Sequence, residues 1–283
     1  MLTDAFLNRL DTLCLAMRGR AQGGAGGSRR YRQTGSSAEF SDYREYVPGD
    51  DIRRLDWNAY ARFDKLFLKL FMEEQESLVT VLLDASASME AKWPSARAAA
   101  EAVGYLALTG GDRLNVHCLK NGRALRSPQL AGRAAFPRLT GFLDIYVPDG
   151  TEDTLTEAVK HTEGLKKGLC FLITDGYTED ALKGALDYLR YLKQETAVIQ
   201  VMSGEELRPE LEGAVRLTDS ESGEKIDLIA DRAALDAYHD ALSDFLKRVR
   251  ENCASREAPY MMLDGAEPFE EGFIPLLSSS RMI

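Results

Sequence analysis

From residue 78 onward, short apolar runs alternate with helical runs, and this alternation constrains the fold more than any other feature of the chain. Residues 78–83, Arg113–Leu119, Leu169–Thr174 and Ala197–Met202 read as strands. Leu169–Thr174 is apolar almost throughout, as a strand covered on both faces should be. Between the strands lie helical patterns. Pro94 can open a helix at its first position. Alanines with Val103, Tyr105 and Leu106 fill that helix, and Gly110-Gly111 end it. Phe136–Ile145, Thr154–Leu165 and Ala181–Leu192 follow as helices. Strands separated by helices predict an α/β fold, with a mostly parallel sheet and helices on both faces.

Upstream, residues 4–18 read as an amphipathic helix through Phe6, Leu7, Leu10, Leu13, Leu15 and Met17. Gly19 to Gly27 breaks regular structure, with arginines at 18, 20, 29, 30 and 32 around it. Such a stretch can contact phosphate or serve as a solvated linker. Pro48-Gly49 marks a turn. Leu66–Phe71 reads as a strand, and Glu73-Glu74-Gln75-Glu76 separates it from the strand at 78–83, which predicts an antiparallel hairpin. After residue 203, Arg216–Asp219 and Lys225–Ile229 flank a turn as a second hairpin. Ala233–Arg250 is a long amphipathic helix and Tyr260–Leu263 a last strand. The expected division is an N-terminal extension of helix and strands over 1–76, a core over 77–265 and a tail over 266–283.

With 283 residues, 45% of them hydrophobic, the chain has ample material for a core. Its formal net charge of −10 is uneven. Residues 1–72 carry 12 Lys/Arg against 9 Asp/Glu, the remainder 23 against 36. An acidic body repels nucleic acid, so nucleic acid is not an expected partner. No apolar run approaches the length of a membrane span. The N-terminus carries Asp4 and Asp11 and lacks a signal-peptide layout, so a cytoplasmic location is expected. Cys14, Cys118, Cys170 and Cys253 form no C-x-x-C pair, and His117, His161 and His239 are scattered. These residues read as structural or solvated.

The chemistry concentrates at Asp84-Ala85-Ser86-Ala87-Ser88-Met89, directly after the strand at 78–83. A carboxylate and two hydroxyls there sit on the loop at a strand's C-terminal end, where open α/β sheets place their ligands. Oxygen donors of this kind suit a hard cation such as Mg²⁺ or Mn²⁺. Asp175, after Phe171-Leu172-Ile173-Thr174, repeats the geometry of apolar strand followed by acid. In the alternative reading, Asp84 and the serines cap the next helix.

This pattern resembles the metal-ion-dependent adhesion site of the von Willebrand factor type A fold, a Rossmann-like α/β architecture. That resemblance implies one divalent ion held by Asp84, Ser86, Ser88 and Asp175. It also implies a third hydroxyl from the loop Asp149-Gly150-Thr151-Glu152-Asp153-Thr154-Leu155. Thr151, after its glycine, is the favoured donor. Thr154 is second, and strict register from Ala158-Val159 lands on Asp153. A narrower resemblance comes from the run Phe40-x-x-x-Arg44-x-Tyr46-x-Pro48-Gly49-Asp50-Asp51-x-Arg53-Arg54-x-Asp56-Trp57, followed by Ala61-Arg62. With Asp219-x-Glu221-x-Gly223-Glu224 downstream, it is similar to the prokaryotic family known as domain of unknown function 58. Forms of that family without membrane spans resemble proteins that accompany MoxR-type AAA+ ATPases. The acids and arginines of the 40–62 signature could form a buried ion network, with Trp57, Tyr46 and Phe40 packing among them, or a binding surface.

Two serines and a threonine are neutral, so an ion they hold keeps charge that a carboxylate from another protein would satisfy. The resulting expectation is a non-enzymatic, metal-dependent protein-binding module, an adaptor for a MoxR-type ATPase in protein assembly or maturation. The first alternative is a metal-dependent hydrolase or phosphoryl-transfer enzyme. Against it, this reading places no histidine or lysine base at the motif, no nucleophile-elbow glycines flank the serines, and no G-x-x-x-x-G-K is present. The second alternative is a scaffold with a vestigial metal site.

Overall fold

A computed structural model describes residues 2–22, 38–48, 50–52, 55–73, 77–149, 155–219 and 223–279. In chain order the elements are α1 (Asp4–Gln22), β1 (Ala38–Glu45), α2 (Trp57–Phe63), β2 (Phe67–Glu73), β3 (Leu78–Asp84), α3 (Trp93–Gly110), β4 (Arg113–Lys120), β5 (Arg123–Arg126) and β6 (Leu130–Ala131). There follow α4 (Phe136–Leu143), α5 (Leu155–Lys160), β7 (Leu169–Thr174), α6 (Lys183–Tyr191), β8 (Glu195–Met202), α7 (Gly204–Leu207), β9 (Gly213–Thr218), β10 (Lys225–Ala230), α8 (Arg232–Ala254), β11 (Tyr260–Asp264) and α9 (Phe269–Ser279). The chain forms two compact units, one of Met1–Ala25 with Ser77–Ile283 and one of Gly26–Glu76.

The larger unit is built on a sheet of order β11-β8-β7-β3-β4-β5, with β6 also paired to β4. The β11–β8, β8–β7, β7–β3 and β3–β4 pairs are parallel, and β5 and β6 run antiparallel to β4. Alternation along the strands divides the core in two. Val79, Val81, Leu83, Phe171 and Ile173 face Phe6 and Leu10 of α1, the alanine face of α3, Leu139 and Leu143 of α4, and Phe273 and Leu277 of α9. Leu82, Cys170 and Leu172 face Leu155 and Val159 of α5, Leu186 and Leu189 of α6, and Phe245 and Val249 of α8. The expected α/β class with a mostly parallel, doubly covered sheet is therefore what the chain adopts. From β3 the chain first moves outward to β4, then returns to β7 on the other side of β3. The strand order thus reverses beside β3, and the crevice at the C-terminal ends of β3 and β7 is the sheet's switch point.

Three expectations are corrected. The strand at 66–71 does not form a hairpin with the strand at 78–83. It is β2 and pairs antiparallel with β1 in its own two-stranded sheet, from Ala38 opposite Glu73 to Glu45 opposite Phe67. β3 is buried along both faces and instead takes two parallel neighbours at the centre of the large sheet. The helix read over Thr154–Leu165 spans only Leu155–Lys160 among the described residues, because the chain turns at 161–164, where Gly164 adopts φ 75°. Residues 266–283 are not merely a tail: α9 forms there, and its Phe273 and Leu277 are fully buried. Helix α1 belongs to the same unit as α9. Thr3 donates to Glu270 from its backbone N–H at 2.8 Å and from its hydroxyl at 2.7 Å, and Phe6 packs edge-on against Phe269 and Phe273. The second hairpin forms as read, through β9 and β10. No helix among the described residues is long and apolar enough to cross a membrane.

Candidate functional site

β3 delivers Asp84 to the switch point with its carboxylate almost wholly out of solvent. The hydroxyl of Thr174, at the end of β7, donates to Asp84 Oδ2 at 2.6 Å, and the Ser86 backbone N–H donates to Oδ1 at 3.0 Å. Burial, followed by the nearby charge of Asp175, pushes the Asp84 carboxyl up to about 6 in spite of those bonds. Ser86 and Ser88 are half-buried, with their hydroxyl oxygens 3.0 Å apart. The two hydroxyls thus hydrogen-bond each other on the loop that follows Asp84.

The capping alternative does not describe this loop. Residues Ala87–Met89 form a single tight turn for which Ser86 makes no side-chain cap. The cap position of α3 falls on Lys92, again without a side-chain cap bond.

Asp175 follows Thr174 and is likewise buried. Its Oδ1 accepts the Tyr177 N–H at 3.1 Å, and its backbone carbonyl accepts from Gln200 Nε2 at 2.7 Å. Gly176 adopts φ 79°, a conformation open to glycine, and so turns the chain away directly after the acid. Asp175 Oδ2 lies 2.7 Å from Lys92 Nζ.

Lys92 is the residue the sequence reading missed. That reading placed no lysine base near the motif, whereas folding brings this one to the site, with a side chain only 1% exposed. Its ammonium also lies 2.7 Å from Glu206 Oε1 and 4.9 Å above the centre of the Tyr177 ring. Glu206 is itself fixed in a capping box on α7, its Oε2 accepting the Ser203 N–H at 2.7 Å while its own N–H donates to Ser203 Oγ at 3.1 Å. The only signal in the sequence was a lysine four residues beyond Ser88, between Met89 and Trp93. Nothing there reveals a partner 114 residues away.

Thr151, with its alternatives Thr154 and Asp153, lies outside the described residues. Asp149, which precedes that loop, pairs with Lys120 at the end of β4.

The donor set is one carboxylate with two hydroxyls, all hard oxygens, and its chemistry suits a Mg²⁺-class ion. Among the described residues, no group of three or more His, Cys, Asp or Glu could hold a metal. Other reactive groups stand apart. Burial pushes the thiols of Cys118, Cys170 and Cys253 up to about 12, which makes them inert. His117 is buried in β4. His161 Nδ1 lies 3.1 Å from the Gly122 carbonyl.

In the smaller unit, the signature acids work locally. Asp56 caps α2, its Oδ1 accepting the N–H groups of Asn58 at 2.9 Å and Ala59 at 3.1 Å, while Tyr43 donates its hydroxyl to Oδ2 at 2.8 Å. Asp50 Oδ2 accepts the Val47 N–H at 2.9 Å, and its Oδ1 pairs with Arg44 at 2.8 Å. Among the described residues of the signature, Asp56 is buried, whereas Arg44, Asp51 and Arg62 are exposed and Trp57 is 63% exposed. Arg53, Arg54 and the Phe40 side chain lie outside the described residues.

Among solved structures, the chain is similar to a conserved hypothetical protein BatB from Bacteroides thetaiotaomicron, with 14% identity, a TM-score of 0.43, and coverage of 73% of this chain and 100% of that one. It is also similar to an aerotolerance-related membrane protein from Bacteroides fragilis, with 15% identity, a TM-score of 0.44 and the same coverage. Uncharacterized proteins of Mycobacterium bovis and Mycobacterium tuberculosis are 28% identical over 289 residues, covering 96% of this chain and 89% of theirs. A family profile matches residues 42–246, from the signature segment through most of α8, and the chain thereby belongs to the family described as protein of unknown function DUF58.

Proposed function

We propose that this protein is a non-enzymatic protein-binding module of the von Willebrand factor type A kind. Its strand-end site takes one Mg²⁺ or Mn²⁺ and, through it, a carboxylate of a protein partner. The observation that carries this reading is the convergence of the Ser86 and Ser88 hydroxyls, 3.0 Å apart, beside buried Asp84 at the switch point of the sheet. Asp84, Ser86 and Ser88 would hold the ion. Asp175 and a donor from the 151–154 loop, Thr151 first, would complete the set. Hydroxyl donors leave a divalent ion's charge largely unneutralised, and an Asp or Glu of a partner answers it. The partner class is a MoxR-type AAA+ ATPase, by resemblance of the signature run, in assembly or maturation of other proteins. A cytoplasmic setting belongs to the same proposal and accords with the buried thiols of Cys118, Cys170 and Cys253, which form no disulfide.

Hydrolysis is less well supported. A general base must be free to take a proton, and Lys92 is held between two carboxylates while the buried thiols are inert. A scaffold with a vestigial metal site is favoured by one observation, the ion pair that already occupies Asp175. Calorimetric titration of Mn²⁺ into wild type and Ser86→Ala decides between these readings. The expected result is saturable binding to wild type, lost in the variant at unchanged thermal stability. Heat-silent wild type, confirmed by unaltered melting with Mn²⁺, would leave the scaffold reading standing.

A further inference from the structure

The structure assigns Lys92 the role of an internal cation at the strand-end site: it pairs with Asp175 and Glu206, holds the surrounding loops together without a metal ion, and opposes a divalent ion at Asp84, Ser86 and Ser88. This deepens the proposed function and rests on it. Lys92 leaves the loop after β3 and reaches two other strand ends at once. Its Nζ lies 2.7 Å from Asp175 Oδ2 after β7 and 2.7 Å from Glu206 Oε1 after β8. The Tyr177 ring covers it, that ring stacks on Phe245 of α8 at 4.8 Å, and Tyr238 of α8 donates its hydroxyl to the Glu206 carbonyl at 2.7 Å. One ammonium thus ties three loops at the C-terminal edge of the sheet to α8.

An ammonium with a side chain 1% exposed persists only when it is paired, because desolvating a lone charge is very unfavourable. Here the pairing is twofold and rigid. Asp175 is oriented by the Tyr177 N–H and Glu206 by its capping box. The consequence for a metal is electrostatic. Asp175 is the second carboxylate of the site, and its Oδ2 already lies against Lys92. A fixed positive charge beside a divalent ion in a buried, weakly screened site lowers the ion's affinity. The chain is therefore built to be folded and complete without metal and to bind a divalent ion weakly. A partner carboxylate that adds the missing negative charge would raise that affinity.

The test uses the full chain with Lys92→Met and Lys92→Gln. The glutamine variant keeps a hydrogen-bond donor for Glu206, and so preserves the fold if the methionine variant does not. Mn²⁺ affinity is measured by calorimetry and, independently, by the rise in melting temperature with added Mn²⁺. Removal of the charge is expected to tighten Mn²⁺ binding about tenfold or more and to enlarge the Mn²⁺-induced rise in melting temperature. Measurable affinity that is equal in all three proteins, or weaker in the variants, overturns the role of Lys92 and leaves the metal-site reading in place. Absence of Mn²⁺ binding in wild type and both variants overturns both.

Discussion

Asp84 and His117 are both buried on the large sheet, and burial moves them in opposite senses. Desolvation disfavours whichever form is charged. The Asp84 carboxyl is pushed up to about 6, whereas His117 is pushed down, from 6.5 to about 4, by burial and then by Arg126. Neither ring nitrogen of His117 has a hydrogen-bond partner among the described residues, which accords with a neutral ring kept out of water. In the pH range between the two histidine values the unfolded chain binds the proton and the folded chain does not. The stability associated with neutral His117 is therefore fully present above about 6.5 and is lost as pH falls toward 4. The full span corresponds to an upper bound of roughly 3 kcal/mol. Urea denaturation of wild type and His117→Phe at several values between pH 7 and pH 4.5 should show wild type losing ground to the variant as the solution is acidified. Asp84 is common to both proteins and cancels from the difference. A gap that does not change with pH would mean that His117 does not titrate in this way.

At the level of elements, local signals were legible wherever the chain makes its own decision. α3 starts with Pro94 in its first turn and ends at Gly111 with φ 86°, as its proline and glycines announce. β7, β8 and β11 lie where apolar runs placed them within a few residues. Pairing was not legible in the same way. The run at 67–73 and the run at 78–84 look like hairpin partners because they are neighbours in sequence, yet β2 pairs with β1, while β3 pairs at its two edges with β4 and β7 and is covered on both faces by helices. The β3–β7 contact is close enough to test. A Cβ on Gly168, just ahead of β7, would sit 2.2 Å from the Leu78 carbonyl oxygen, and backbone cannot yield as a side-chain tip can. Gly168→Ala should therefore destabilise the large unit by roughly 1–3 kcal/mol in chemical denaturation. A neutral result would show that the two strands can separate at their N-terminal ends without loss.

Across the whole larger unit, helices from opposite ends of the chain share one core. Phe6 and Leu10 of α1 lie in the same buried cluster as Phe273 and Leu277 of α9, over the face of the sheet that carries Val79, Val81 and Leu83. Phe273 is fully buried and packs against Phe6 and Phe269. Phe273→Ala should cost about 3–5 kcal/mol of unfolding free energy. Because α1 rests on the same rings, amide exchange in residues 4–14 should accelerate along with that of α9. Protection of α1 that survives the substitution would mean the two helices are held independently.

The order of residues along the chain was enough to establish an α/β fold, a strand ending in Asp84, hydroxyls at Ser86 and Ser88 on the following loop, and a second strand ending in Asp175. Each of these is a local property, set by periodicity of two or near four and by the few residues that stop a strand or helix. Only the folded chain decides that β3 and β7 are neighbours, that Thr174 rather than a metal-facing group takes Asp84 Oδ2, and that Lys92 closes on Asp175 and Glu206. Those contacts join residues up to 114 positions apart. Their energies come from burial, which strengthens a charge pair and penalises a lone charge, and burial exists only once the sheet and its helices have assembled.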